Sequence, residues 1–172
     1  SPQPTPGARN VTKGFADIAA AQADTPPLRI NEVLAANPAR SDKQDWVEIY
    51  NGASHAVDLS GYYLSDTDRN LKKWPIGSVK IQPGGYAVIN GYKDGKSAGR
   101  LAICASGGER LYLTDEQGTL VDMFDTGALR AEYSSGVAEG GQKTRALFKT
   151  PTPGKKNGES ALLGYCAAPV LS

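Results

Sequence analysis

The segment from Asp66 to Asn70 carries the spacing most typical of a metal-binding loop. Asp66, Asp68 and Asn70 follow the D-x-D-x-N pattern with which a calcium-binding loop begins. The continuation does not fit, because Leu71 stands where the loop needs glycine and Gly77 where it needs a bidentate glutamate. We therefore expect an Asx-type turn and no metal site, and Asp66, Asp68 and Asn70 are the candidate ligands if a cation does bind.

Acidic residues and one histidine are the candidates for hydrolytic chemistry. Asp42, Asp45 and Glu48 are close in sequence, but hydrolysis by carboxylates needs two of them facing each other across a cleft. His55 is the only histidine, and no G-x-S-x-G nucleophile pattern is present. We expect solvated charges on an outer face, and a hydrolase using Asp45 and Asp66 is the least supported function.

Four aromatic residues, Trp46, Tyr50, Tyr63 and Trp74, form the candidate binding surface. Exposed aromatic rings stack on sugar faces and anchor partner proteins, so the set predicts a carbohydrate-binding module as one alternative. The competing interpretation, which we favour, is that Trp46 packs beneath a loop or a neighbouring module.

Composition limits the class of partner. The chain has 172 residues, with 19 Lys and Arg against 18 Asp and Glu, and this balance argues against a dedicated nucleic-acid surface. No run of about 18 apolar residues is present, so we expect no membrane insertion. The two cysteines, Cys104 and Cys166, are too few for a zinc site, and we expect no disulfide between them. We expect no cofactor.

Twenty glycines and 11 prolines favour short strands and tight turns. Residues 45–51 and 61–66 alternate between apolar and polar, and we expect them to form the central pair of an antiparallel sheet. Its inner face would be made of Val47, Ile49, Leu59, Tyr62 and Leu64.

Further strands are predicted at short intervals, so the pattern indicates an all-β sandwich or barrel. They are residues 29–36, short pieces at 73–75 and 78–81, 86–90, a weak strand at 101–105, a hairpin of 109–114 and 119–124, and edge strands at 132–135 and 147–149. A short helix at 14–22 is also considered.

An internal echo indicates tandem modules. The sequence PTPGARN at residues 4–10 returns as PTPGKKN at residues 151–157, about one domain length later. We therefore expect residues 1–27 to be the end of a preceding module plus a linker, residues 28–158 to be one domain, and residues 159–172 to be a linker and the opening of a following module.

The ordered set of motifs resembles the lamin tail domain of bacterial extracellular proteins, over about residues 28–158. The matching segments are LRINEV, DWVEIYN, VDLSGYYLSD, IQPGGY, ASGGERLYL, the turn into Val121 and Asp122, and the closing PTPG. The resemblance implies an immunoglobulin-like β-sandwich without catalytic residues, often found in tandem or beside other modules. The tail 163–172 resembles the start of another β-module, which in bacteria can precede a spore-coat-H-like kinase domain.

This interpretation favours a role as a non-catalytic module of a secreted or cell-surface bacterial protein. It would space or attach its neighbours in the chain, with protein, cell-wall or host glycan as the external partner. The alternative is the carbohydrate-binding module described above, accessory to an enzymatic domain elsewhere in the parent protein.

Overall fold

The computed structural model describes residues 27–35, 44–91, 101–104, 108–129, 133–138, 145–158 and 161–162. Within these ranges the chain forms twelve β-strands and no helix. The strands are β1 (Leu28–Leu34), β2 (Trp46–Asn51), β3 (Val57–Asp58), β4 (Tyr63–Ser65), β5 (Trp74–Pro75), β6 (Lys80–Ile81), β7 (Tyr86–Asn90), β8 (Arg110–Thr114), β9 (Leu120–Asp125), β10 (Ser134–Val137), β11 (Arg145–Phe148) and β12 (Ala161–Leu162).

Two antiparallel sheets face each other. The larger has the order β12-β11-β10-β1-β2-β7 and the smaller has the order β5-β4-β8-β9, while β3 and β6 pair separately. Their inner faces enclose one apolar core, to which both sheets contribute. A hydrogen bond of 2.8 Å from the Ile30 N–H to the Asp122 carboxylate joins β1 to β9 across the two sheets. The predicted all-β sandwich is confirmed.

A β-bulge in β1 turns two polar side chains toward the outer face of the larger sheet. The register with β2 shifts between Ile30 and Glu32, so Asn31 is the extra residue. Leu28 and Ile30 face the core before the bulge, and Val33 faces it after the bulge. In a regular strand, residues an odd number of positions apart would point to opposite faces, so the bulge is what lets both halves of β1 contribute to the core.

The prediction that residues 45–51 and 61–66 form a central strand pair is wrong. Residues 45–51 contain β2, which pairs with β1 and β7, whereas residues 61–66 contain β4, which pairs with β5 and β8 in the other sheet. The inner-face assignment is nearly right, since Val47, Ile49 and Leu59 are fully buried, Leu64 is almost so and Tyr62 packs against the core. Alternation reports which side chains point inward, but it does not identify the neighbouring strand.

The other predicted strands mostly appear with small shifts. The hairpin of β8 and β9 is confirmed. Residues 101–104 form no strand, although Leu101 and Ile103 are buried. The predicted edge strands exist as β10 and β11 but lie inside the sheet, because β12 pairs with β11 and β10 pairs with β1.

Several predictions lie outside the described residues. They concern the helix at 14–22, the linker before residue 27, Cys166 and the tail from residue 163 onward. In the described residues the chain continues past 158 to β12, whose two residues pair with β11. Within the described residues, no helix is long and apolar enough to cross a membrane.

Candidate functional site

A buried polar cluster, which we call the clamp, lies on the outer face of the larger sheet. Its acidic members, Glu32 on β1 and Glu48 on β2, are opposite each other in the strand register and are both 0% exposed. The remaining members belong to β1, β10 and the closing segment 151–157; they are Asn31, Ser134, Thr152, Gly154 and Asn157.

Glu32 accepts hydrogen bonds from two other parts of the chain. The Thr152 N–H lies 3.1 Å from both carboxylate oxygens, and the Thr152 hydroxyl donates to Oε2 at 3.0 Å. The Ser134 hydroxyl donates to Oε1. One buried carboxylate thus ties the first strand to β10 and to the closing segment, which are 102 and 120 residues away in sequence.

Glu48 is held in the same way on the neighbouring strand. Its Oε1 accepts a bond of 2.8 Å from the Asn31 amide, and its Oε2 accepts a bond from the Gly154 N–H. The expectation that Glu48 is a solvated outer-face charge is therefore wrong. The outer face of β2 is not solvent-facing at this position, because the closing segment folds back across it.

Asn157 completes the clamp with its side-chain amide. The Nδ2 atom donates to the carbonyl oxygens of Asn31 at 3.0 Å and Val137 at 2.8 Å, and Oδ1 accepts from Asn31 Nδ2 at 3.0 Å. Gly136 makes room for it, since a Cβ there would lie 2.7 Å from Asn157 Nδ2 and 2.9 Å from the Phe148 ring. The closing segment is thus locked onto the sheet by side-chain hydrogen bonds.

Burial raises the pKa of Glu48 to about 7. The hydrogen bonds from Gly154 and Asn31 act in the opposite direction, while the charge of Glu32 raises the pKa further. A carboxyl group with this pKa would suit general acid or base catalysis. Here, however, both oxygens already accept bonds from the chain itself and the residue has no exposed surface, so no substrate atom reaches it.

A second group of charged residues, Glu109 with Asp45, Asp66 and Lys73, lies at another place in the fold. Burial raises the pKa of Glu109 to about 7, the Cys104 N–H lowers it, and the charges of Asp66 and Asp45 raise it. Asp66 pairs with Lys73 at 2.7 Å, and Asp45 accepts a bond of 2.8 Å from the Ile103 N–H.

The acids of this second group serve local structure. Asp45 fixes the segment 101–104, and Asp66 is paired with a lysine. Both candidate hydrolytic residues are therefore engaged in local contacts, whereas hydrolysis needs two available carboxylates across a cleft. In the ranges that the structure describes, no group of three or more His, Cys, Asp or Glu residues is placed to hold a metal ion.

The turn after β4 is organised by Ser65, not by the predicted aspartates. The Ser65 hydroxyl lies 2.9 Å from the Thr67 carbonyl and 2.8 Å from the Asn70 carbonyl, and it accepts the Thr67 N–H at 3.0 Å. Asp66 turns toward Lys73, whereas Asp68 and Asn70 are exposed. The three candidate cation ligands are therefore not brought together, and the expected Asx-type turn is replaced by one built on a serine hydroxyl.

The four candidate aromatic residues lie on both sheets. Trp46 and Tyr50 point to the outer face of the larger sheet, while Tyr63 and Trp74 belong to the smaller one. Trp46 is 7% exposed and Trp74 is 5% exposed, and Trp74 belongs to the core. The favoured interpretation, that Trp46 is covered, agrees with its burial, and the alternative of exposed rings does not hold for either tryptophan. Their binding role stays a prediction.

The two tyrosines keep partial exposure and carry cations above their rings. Lys72 Nζ lies 5.5 Å from the centre of the Tyr63 ring, and Arg29 Cζ lies 4.5 Å from that of Tyr50. Tyr86 on β7 contacts Tyr50 from the other side, with ring centres 5.0 Å apart and planes inclined by 46°. We call Arg29, Tyr50 and Tyr86 the open row.

Sequence reasoning missed Glu32, Asn157, Arg29 and Tyr86. One signal was present, because Ile30 and Val33 are both apolar at odd spacing within a strand, which indicates a bulge and hence an outward Asn31 and Glu32. No local pattern indicates that Arg29 and Tyr86 meet around Tyr50, since their strands are far apart in sequence and become neighbours only through β2.

Comparison with known families gives a match to the Lamin Tail Domain over residues 21–128. Neither the curated proteins nor the solved structures that were searched gave a match. The matched range covers well over half of the chain and includes β1 to β9, while β10, β11 and the closing segment follow it. With its immunoglobulin-like sandwich of antiparallel sheets, the chain belongs to the lamin tail domain family.

Proposed function

We propose that this lamin tail domain is a non-catalytic module that spaces and attaches neighbouring parts of a secreted or cell-surface bacterial protein. The observation that carries the proposal is the clamp. Its carboxylates, Glu32 on β1 and Glu48 on β2, accept hydrogen bonds that fasten the closing segment to the first two strands. Glu48, whose pKa and burial would suit catalysis, is thus occupied by the chain's own donors.

The clamp also supports the tandem arrangement. Thr152, Gly154 and Asn157, which make its hydrogen bonds, are positions two, four and seven of the segment 151–157. The echo at residues 4–10 keeps the same residue types at those positions, whereas Lys155 and Lys156 are replaced by other residues. A segment that keeps the clamp residues while two exposed lysines vary is what a preceding module of the same design would end with.

A hydrolase panel tests the non-catalytic part of the proposal. The purified chain is compared with its Glu48→Gln and Asp66→Asn variants on esters, amides, phosphates and glycosides. We expect turnover no faster than buffer for all three proteins. Turnover that disappears in either variant would overturn the proposal.

Attachment is tested with isolated envelopes of the cells that produce the protein, used before and after protease treatment. A fluorescently labelled chain should bind the untreated envelopes and lose binding after the treatment, because we assign attachment to a protein partner. No retention on either preparation would contradict the attachment role.

The carbohydrate-binding alternative remains a separate prediction that the same experiment addresses. It requires retention on protease-treated envelopes and a loss of glycan affinity in Tyr50→Ala, since Tyr50 is the partly exposed candidate ring on the larger sheet. The buried Trp46 and Trp74 serve as comparison positions, because their substitution would lower stability and would not test ring stacking.

A further inference from the structure

The open row lies across three adjacent strands of the larger sheet. Arg29 on β1 is the register partner of Tyr50 on β2, and Tyr50 is the register partner of Tyr86 on β7. All three side chains are partly exposed. Arginine and tyrosine are the residue types, with tryptophan, that contribute most to protein interfaces.

Arg29 has no acidic partner among the described residues. Its guanidinium lies over the Tyr50 ring, and its buried Nε atom makes no hydrogen bond. Lys156, an exposed residue of the closing segment, lies near enough to act on the Tyr86 hydroxyl, as Arg29 does. The nearby Glu48 is buried and bonded to Gly154, so its carboxyl group is not available to Arg29.

Among the described residues, the row ends at a sheet edge, where β7 pairs with β2 on one side only. The bonds from Asn51 N–H to the Gly85 carbonyl (3.0 Å) and from Gly91 N–H to the Asp45 carbonyl (2.6 Å) enclose the pairing of β7 with β2. Because antiparallel bonding repeats every second residue, Ala87 and Ile89 bond to β2, and the backbone groups of Tyr86, Val88 and Asn90 point away from it.

The edge strand lacks the usual devices against strand addition. Its sequence YAVIN contains neither proline nor a charged residue, and in the described part of the chain β2 is its only partner strand. Exposed edges of soluble proteins normally carry a lysine, a proline or a bulge that prevents pairing with another chain. The absence of these features in β7 is consistent with an edge that accepts a strand.

We propose that the open row and the outer edge of β7 form a docking site for an extended acidic segment of a partner protein. The segment pairs with the backbone of Tyr86, Val88 and Asn90 and directs a carboxylate across Tyr86 to Arg29. Arg29 is three strand spacings, roughly 14 Å, from the added strand. Its guanidinium already lies over the Tyr50 ring and acts on Tyr86, so the carboxylate has only the Tyr86 ring to cross. The docking site rests on the proposed function, because it names the partner class for attachment.

A peptide fits this surface better than an acidic sugar. The two tyrosine rings are inclined by 46° and so present no common flat platform for a sugar ring. The outward backbone groups of β7 match another peptide backbone, which supplies donors and acceptors at the strand repeat. A bidentate arginine–carboxylate pair then adds specificity for an acidic side chain.

The test uses a capped hexapeptide of alternating glutamate and valine, titrated into the isotope-labelled chain and followed by NMR. We expect the amide signals of Tyr86, Val88 and Asn90 and the Nε–H signal of Arg29 to shift. A matched peptide with glutamine in place of glutamate should bind about tenfold more weakly, because it lacks the charge. Hexagalacturonate supplies the sugar comparison.

Two variants test separately the contribution of the Arg29 charge and that of the β7 backbone to peptide binding. Arg29→Gln should weaken binding of the glutamate peptide about tenfold, and the matched Arg110→Gln in the smaller sheet should not change it. Val88→Pro removes an outward N–H that β2 does not use, so it should abolish binding while the remaining amide spectrum stays dispersed.

Three results would overturn the docking site. They are no shift in β7 at about 1 mM peptide, equal binding of the glutamine peptide, and shifts of the open row with hexagalacturonate but not with either peptide. The envelope experiment is independent of these results. If envelope binding is lost on protease treatment but is unchanged in Arg29→Gln, the protein partner binds at another surface.

Discussion

The clamp and the open row lie on the same face of the larger sheet and share β1 and β2, but they have opposite environments. On β2, Glu48 is fully buried, whereas Tyr50, two residues further along, is partly exposed. On β1, Glu32 is surrounded by donors, whereas Arg29 has no acidic partner in the described residues. The closing segment covers the first pair and leaves the second accessible. A sheet face is therefore sealed or open according to what folds across it, and strand alternation does not decide which.

Replacing Glu32 by alanine should have the largest effect on stability. The substitution leaves the buried Ser134 hydroxyl and the two part-buried donors of Thr152 without their acceptor. We expect the free energy of unfolding to fall by about 3–5 kcal/mol, because three donors lose their acceptor at about 1–3 kcal/mol each, less where water reaches them. Urea denaturation measures the loss.

Glu116→Ala is the matched control for this loss, because Glu116 is exposed. It should change the free energy of unfolding by less than about 0.5 kcal/mol. Equal effects of the two substitutions would mean that the clamp contributes nothing to the fold.

The pH dependence of stability should report the burial of Glu48. Its pKa in the folded chain is about 7, above the usual value of about 4.3 in an unfolded chain, so the folded state binds the proton more tightly. This contribution is fully present below the unfolded pKa and is lost as pH rises through 7. Between about pH 5 and pH 8 we expect Glu48 alone to contribute a decrease on the order of 2 kcal/mol.

Two variants show which carboxyl group causes the pH dependence of stability. Glu48→Gln should flatten the decrease in part, because Glu109 also has a raised pKa of about 7 and titrates in the same window. Glu109→Gln should remove the remainder. A Glu48→Gln curve parallel to that of the unchanged chain would show that this carboxyl group does not titrate as its burial requires.

Arg29→Gln should have the smallest effect. The guanidinium contributes a contact with the Tyr50 ring at a partly exposed site and no ion pair, so a change of less than about 1 kcal/mol is expected. If Arg29→Gln lowered the free energy of unfolding as much as Glu32→Ala, the open row would stabilise the fold as the clamp does, and the contrast between the two regions would not hold. Denaturation under the same conditions measures it, with Arg110→Gln as the matched control.

The sequence was sufficient for the fold class and for most inward-facing residues. Alternation places Val47, Ile49 and Leu64 correctly because burial on one face of a strand repeats every second residue. Strand partners were not accessible in this way, since β2 and β4 have similar patterns but lie in different sheets.

The candidate site was less predictable than the fold. Glu48 looked like a solvated charge because its neighbours in sequence say nothing about Gly154, which is 106 residues away and donates to its carboxylate. The internal echo did contain the necessary information, since Thr152, Gly154 and Asn157 recur in it. Their role became clear only when the closing segment was seen to cross β1 and β2.

Native-state hydrogen exchange tests the central contrast most directly. The amides of Thr152 and Gly154, which donate to Glu32 and Glu48, should exchange about as slowly as that of Ile49 in the sheet. The outward amides of Tyr86, Val88 and Asn90 should exchange much faster. Rapid exchange at Thr152 and Gly154 would contradict a sealed clamp, and strong protection at all three outward amides in the free chain would contradict an open edge.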